Sequence, residues 1–233
     1  MIPLHDDNPT ELFPFVTIAI IVICALTFFW QLGLDPRTQQ IVTVTLGVIP
    51  ATLVGGQHLP RDLAVLPPFL TVFTSMFLHG GWLHILGNML YLWIFGNNVE
   101  DAMGHRRFIV FYLLCGIAAA MTQSLLNPDS TVPMIGASGA IAGVLGAYLL
   151  LHPRARILVV LPLLIIFFTV RLPALIVLGF WFVGQAVSTL LANSESSGVA
   201  FGAHVGGFVA GVVLIPLFKQ KHVRLFSQAP RRG

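Results

Sequence analysis

Apolar residues run through this chain in long, nearly unbroken blocks. Six of them, residues 13–31, 83–99, 108–126, 134–151, 172–192 and 199–218, come close to the length of about 20 mostly apolar residues that a helix needs to cross a bilayer. Backbone N–H and C=O groups in hydrocarbon must be satisfied within their own segment, so the blocks are read as helices rather than strands. The pattern predicts an all-α integral membrane protein. Its parts are a short N-terminus (1–12), a membrane domain of six transmembrane helices (13–218) and a basic tail (219–233). The first block does not read as a signal peptide. His5, Asp6, Asp7 and Glu11 precede it in place of a basic region, and it ends in FFWQLGL.

A seventh apolar stretch, ILVVLPLLIIFF at 157–168, is too short for a span and has Pro162 inside it. It is expected to be interfacial or re-entrant. Charge arbitrates, because Lys and Arg collect on the cytoplasmic side. With six spans and the N-terminus inside, only Arg37 and Arg61 of the 12 cationic residues fall outside. A seventh span would divide the cations more evenly. Both termini are therefore expected in the cytoplasm. The long connection at 32–82 then lies on the outer side, and its length argues for partial seating in the outer interface rather than a floppy loop.

Composition points the same way. Hydrophobic residues make up 56% of the chain and charged residues 9%, against about 25% charged in an average soluble domain. Cys24 and Cys115 lie inside apolar blocks without CxxC spacing, which makes them packing thiols. Glu100, Asp101, Arg106 and Arg107 are expected to form a solvated cytoplasmic cap. His58, His79 and His105 are expected at the interface.

A polar residue inside a span is a functional hypothesis by default. The second block carries His84 and Asn88, the fourth Ser138 and the sixth His204. Under the six-span topology these three helices run from outside to inside, and each places its polar residue near its start. The four side chains thus share one depth in the outer leaflet. His84 and Asn88 are i and i+4 on one face. Ser138 is followed by Gly139 and Gly143, and His204 by Gly207 and Gly211, two GxxxG faces that let helix backbones approach closely in lipid. Contact of the fourth and sixth helices would bring hydroxyl and imidazole together. Serine needs a base to become a nucleophile, and the tetrahedral intermediate needs donors aimed at its oxyanion. Those parts are present, as a dyad without a carboxylate. Taken singly, each residue has a bland explanation: Ser138 as a packing residue, His204 as a satisfied cavity histidine, Asn88 as interhelical glue. HExxH is absent, which argues against zinc, and GASGA is not the G-x-S-x-G elbow of α/β hydrolases.

HGGWLHILGN, GASGA and AHVGGFVAG, in this order, make the chain similar to the rhomboid family of intramembrane serine proteases over nearly all of residues 15–218. The resemblance implies a six-helix rhomboid-like bundle with its active site open to the outer face. Ser138 matches the nucleophile of the GxSG motif and His204 the general base of AHxxG. His84 and Asn88 match the oxyanion-stabilising HxxxN motif. The implied activity is cleavage of transmembrane segments of other proteins, with the lipid bilayer and such substrates as partners, and with no metal, other cofactor or nucleic acid. Two positions depart from the family. Leu70 and Thr71 stand where a Trp-Arg pair is frequent in the outer loop. Ala142 stands where some members stack a tyrosine on the histidine, so the imidazole must be oriented otherwise. The segment 193–202, NSESSGVAFG, is expected to be a lid. With no further N-terminal segment before the first block, a prokaryotic plasma (inner) membrane is expected. Two rivals remain at this point: a catalytically silent rhomboid-like protein that binds membrane clients, and a small transporter.

Overall fold

The computed structural model describes residues 1–163, 166–191 and 200–227. Among the described residues, four helices are long and apolar enough to cross a membrane: α1 (Phe15–Leu32), α6 (His105–Leu126), α8 (Ala174–Leu191) and α9 (Phe201–Phe218). Three short helices, α2 (Pro36–Leu46), α3 (Pro50–Leu53) and α4 (Pro68–Thr74), form the connection after α1. α4 and the 3-10 turn Ser75–Phe77 meet α5 (Trp82–Met103) at an 84° bend, and the pair counts as a fifth span if taken as one. The fourth apolar block yields α7 (Ser138–Leu151), only 14 residues long. At 1.5 Å per residue it covers about 21 Å of a core about 30 Å thick. The chain is a multi-pass membrane protein, with four spans by length and composition, or five with the bent pair.

α7 is the centre of the bundle. Every residue from Gly139 to Tyr148 is buried. Lipid offers no apolar driving force between helices, so close approach depends on small residues. A Cβ on Gly207 or Gly211 of α9 would overlap the carbonyl of Gly139 or Gly143 on α7, and one on Gly146 would overlap the carbonyl of Phe208. On another side α6 presents Ala119 to Gly139 and Cys115 to Gly143. The two GxxxG faces therefore do meet. Cys24 and Cys115 are both free and fully buried. Outward, the helices expose large apolar side chains such as Leu26, Phe29, Phe180, Leu190 and Leu217, which suits a lipid-facing surface.

The fold is mostly but not entirely helical, which corrects the all-α expectation. β1 (Ile2–Asp6), β2 (Arg156–Leu163) and β3 (Ile166–Pro173) form an antiparallel sheet in the order β1-β2-β3. The stretch at 157–168 thus belongs largely to a hairpin rather than a helix. Its Val, Ile and Phe content favours a pleated surface. Pro162 lies beyond Val160, where the pairing with β1 stops, so its missing N–H costs that ladder nothing, whereas it would break a helix interior. Ile157 and Val159 are buried. Open sheet edges do not survive in hydrocarbon, so this segment is no candidate span. β1 is locked by Asp6, whose buried carboxylate accepts from the Tyr148 hydroxyl (2.6 Å) and Asn98 Nδ2 (2.9 Å). Burial pushes the Asp6 carboxyl above its usual range.

The expected solvated cap at Glu100 is also corrected. Glu100 is fully buried. Its carboxylate accepts from the backbone N–H groups of Val16 (2.9 Å) and Thr17 (2.8 Å), from the Thr17 hydroxyl (2.7 Å) and from His105. The cause lies in α1, whose first-turn amides have no helical acceptor and whose N-cap, Pro14, offers no side-chain oxygen. A negative group there also suits the positive end of the helix dipole.

The connection between α1 and α5 is tied down despite Leu70 and Thr71. Val48 and Met134 exchange backbone hydrogen bonds of 3.0 and 2.7 Å, the Ala51 amide donates to Ser130 C=O (2.9 Å), and the Thr74 hydroxyl to Leu46 C=O (2.6 Å).

Candidate active site

The start of α7 is set by the residues just before it. Met134 is held extended by its bridge to Val48. Gly136 takes φ +119°, a left-handed value that only glycine adopts without strain, and its amide donates to Ser75 C=O at 2.8 Å. The chain then turns into the helix at Ala137. The first intrahelical bond runs from the Ile141 amide to Ala137 C=O (3.0 Å). The amides of Ser138, Gly139 and Ala140 therefore have no partner of this kind, and the positive end of the α7 dipole lies at Ser138.

His204 stands one turn into α9, and the glycine contact below it sets its height against Ser138. The Ser138 hydroxyl and His204 Nε2 are 2.9 Å apart, a hydrogen bond between residues 66 positions apart in sequence. On its other side His204 Nδ1 lies 2.6 Å from Oε1 of Gln185, on α8. The Trp181 ring leans over the imidazole, with centroids 5.9 Å apart at 34°. Both side chains contact the imidazole from α8, and Ala142 brings no ring to it. Reading the sequence for site residues passes over Gln185. Its signal is nevertheless present, because it is the one amide in the apolar run of α8 and an intramembrane polar group calls for a partner.

His84 and Asn88 come to the same place from α5. A Cβ on Gly136 would lie 2.5 Å from His84 Nε2 and 3.6 Å from Asn88 Nδ2. The glycine is therefore required by space as well as by φ. The Gly80 amide donates to His84 Nδ1 in a long bond of 3.4 Å, which leaves Nε2 as the protonated nitrogen directed at Gly136. His79, expected at the interface, is instead buried at 1% exposure. Its Nδ1–H donates to Phe77 C=O (3.2 Å), so its Nε2 accepts from Asn88 Nδ2 (3.1 Å). Gln31, at the end of α1, accepts the His79 amide (3.0 Å). His79 thereby fixes which end of the Asn88 amide is the nitrogen. His58 is exposed, and His105 is bound to Glu100.

Beside Ser138 lies a cavity of about 50 Å³, bordered by Ser75, Met76, Gly116, Ala119 and Met134. It is small and only partly polar. Among the described residues no group of three or more His, Cys, Asp or Glu side chains is placed to hold a metal. Of the expected lid at 193–202, residues 193–199 lie outside the described residues.

The Rhomboid domain matches residues 68–221, more than half of the chain. "Rhomboid-like protein 11, chloroplastic" of Arabidopsis thaliana is 27% identical over 164 residues, covering 66% of this chain and 54% of that protein. "Rhomboid protease GluP" of Bacillus subtilis (strain 168) is 37% identical over 142 residues, 60% of this chain and 24% of that protein. "Rhomboid protein 1, mitochondrial" of Saccharomyces cerevisiae is 29% identical over 153 residues, 62% of this chain and 40% of that protein. The similarity thus spans at most about half of these relatives' own length. A domain match of this extent, which spans the segments that build the Ser138 site, means that the chain belongs to the rhomboid family.

Proposed function

We propose that this protein is an intramembrane serine endopeptidase that cuts transmembrane segments of other membrane proteins. The observation that carries the reading is the 2.9 Å hydrogen bond between Ser138 and His204 at the helix start lined by His84 and Asn88. His204 Nε2 takes the Ser138 proton as Oγ attacks the scissile carbonyl. The oxyanion is met by donors at the N-terminal end of α7, by His84 Nε2–H and by the Asn88 amide. His204 then returns the proton to the leaving amine, and water hydrolyses the acyl-enzyme.

Six spans with both termini in the cytoplasm give the topology, α7 serving as a short central span. The concentration of Lys and Arg in inner segments supports this orientation. α7 is about 9 Å shorter than the hydrocarbon is thick, so Ser138 sits below the outer surface. The cut should fall near the outer face of the plasma membrane. A helical carbonyl is shielded by its own hydrogen bond, so the substrate must unwind there. The small cavity beside Ser138 favours a small side chain next to the cut.

The test is labelling of the purified protein in bilayers with a fluorophosphonate, comparing wild type, Ser138→Ala and His204→Ala, followed by mass spectrometry of a cleaved transmembrane substrate. Labelling of wild type alone, with a cut in the outer third of the substrate span, is expected. A folded wild type that never labels would replace this reading by that of a non-catalytic client-binding member of the family.

A further inference from the structure

A histidine acts as general base only in one of its two neutral forms. Nε2 must carry the lone pair that faces the serine, so the proton must sit on Nδ1. In water the two tautomers are close in energy. A site that leaves Nδ1 unpartnered spends part of its time with Nε2–H directed at the hydroxyl, where no proton can be taken. In serine hydrolases with a triad, a carboxylate at Nδ1 settles the matter. Among the described residues, no carboxylate hydrogen-bonds to Ser138 or His204.

Gln185 takes that place. It lies two turns along α8 from Val177 and Leu178, the buried residues that seat the inner half of the helix. Apart from Gln185, the helix carries only Ser188 and Thr189 as polar side chains, and the Thr189 hydroxyl is satisfied by Gln185 C=O (2.8 Å) within the helix. The Gln185 side chain reaches across to α9 and ends with Oε1 2.6 Å from His204 Nδ1. Trp181, one turn earlier, covers the imidazole face, and Phe182 stacks on Phe208 of α9 with centroids 4.4 Å apart. Packing thus docks α8 on α9 independently of the amide. The hydrogen bond adds direction rather than adhesion.

We propose that Gln185 is the positioning residue that holds His204 as the Nδ1–H tautomer, its amide oxygen standing where a triad has its carboxylate. The proposal rests on the protease reading for its consequence in turnover, but not for the tautomer itself. Being neutral, the amide fixes ring orientation and proton position without placing an ion in the bilayer, where a carboxylate is costly. Among the described residues, the alternative partner for Nδ1 is the NH₂ group of the same Gln185 amide. In that flipped arrangement Nε2 would carry the proton and the base would be lost.

The experiment compares wild type with Gln185→Met, which keeps length and apolarity but has no acceptor, and with Gln185→Glu, which keeps an acceptor oxygen. Histidine-selective ¹⁵N NMR in bilayers, with the His204 signals assigned by their loss in His204→Ala, reads the tautomer without any need for activity. Wild type and Gln185→Glu should show Nδ1 protonated, and Gln185→Met a mixture. Turnover of a transmembrane peptide should show kcat reduced about tenfold to a hundredfold in Gln185→Met, a fraction of the full general-base contribution, with KM unchanged and Gln185→Glu restoring most of the loss. Gln185→Leu repeats the test should Gln185→Met not fold. A pure Nδ1–H tautomer with wild-type kcat in the variants lacking an acceptor would overturn the proposal. So would equal losses in Gln185→Met and Gln185→Glu, which mark a structural role only. If wild type itself neither labels nor cuts, the protease reading falls, and the NMR still decides the role of Gln185.

Discussion

Gly211 of α9 lies so close to Gly143 of α7 that a Cβ on Gly211 would occupy the space of the Gly143 carbonyl. One turn nearer the N-terminus of α9, Gly207 meets Gly139 in the same way. This contact lies directly beneath Ser138 and His204 and sets their separation. Gly207→Val should therefore push α9 outward, destabilise the protein by about 1–3 kcal/mol as overpacked cores do, and abolish fluorophosphonate labelling. Gly184→Ala on α8, where nothing lies within 4 Å of the added carbon, should label at the wild-type rate. Thermal unfolding in detergent and the labelling rate, measured side by side, check both.

His84 and Asn88 should behave as oxyanion donors. His84→Ala and Asn88→Ala should each lower kcat for a transmembrane substrate by about 10²- to 10³-fold, the usual loss for one such donor. KM should change little, because these groups act on charge that develops during reaction. His79→Ala should reproduce part of the Asn88→Ala loss, since His79 orients that amide. A His79→Ala protein with unchanged kcat would remove His79 from the site.

Glu100 is the cap of α1. Glu100→Ala leaves the Val16 and Thr17 amides and the Thr17 hydroxyl without their acceptor, at about 1–3 kcal/mol for each orphaned buried donor. The variant should unfold well below wild type in a detergent thermal scan. Glu100→Gln, which keeps acceptor oxygen, should recover part of the difference.

His152 follows the C-terminus of α7, where Nδ1 pairs with the Ser227 hydroxyl at 2.9 Å. Burial holds its imidazole down at about 4, against 6.5 in the unfolded chain, although Asp101 pulls the other way. The folded state thus favours the neutral ring. Its contribution to stability is complete above pH 6.5 and is lost as pH falls from 6.5 through about 4. The melting temperature should drop over that window, and it should drop less in His152→Gln. Equal pH dependence in the two proteins would assign the acid sensitivity elsewhere.

Several of these features are readable along the chain, for identifiable reasons. Ser138, His204, His84 and Asn88 stand out because polar groups are rare in apolar blocks, and the GxxxG spacing alone points to the α7–α9 contact. Glu100 and His79 mislead for a shared reason. Each lies near a helix end, where a polar side chain is ordinarily solvated, and each instead serves a partner far away in sequence or across a bend, the amides of α1 in one case and the Asn88 amide in the other. Gln185 is plainly visible as an isolated amide, but its partner can be named only once α8 and α9 are side by side.

The sheet shows where local pattern ends. A twelve-residue apolar stretch with a central proline reads as short and membrane-seeking, and nothing within it reveals that β1, more than 150 residues earlier, supplies the neighbouring strand. Hydropathy and spacing determined by themselves that the chain enters the membrane repeatedly and which few polar residues it carries there, because burial in lipid is decided residue by residue. Distances across the bundle were decided only by tertiary packing. The 2.9 Å between Ser138 and His204 and the 2.6 Å between His204 and Gln185 depend on how closely three helices approach, and that depends on which glycine backbones meet.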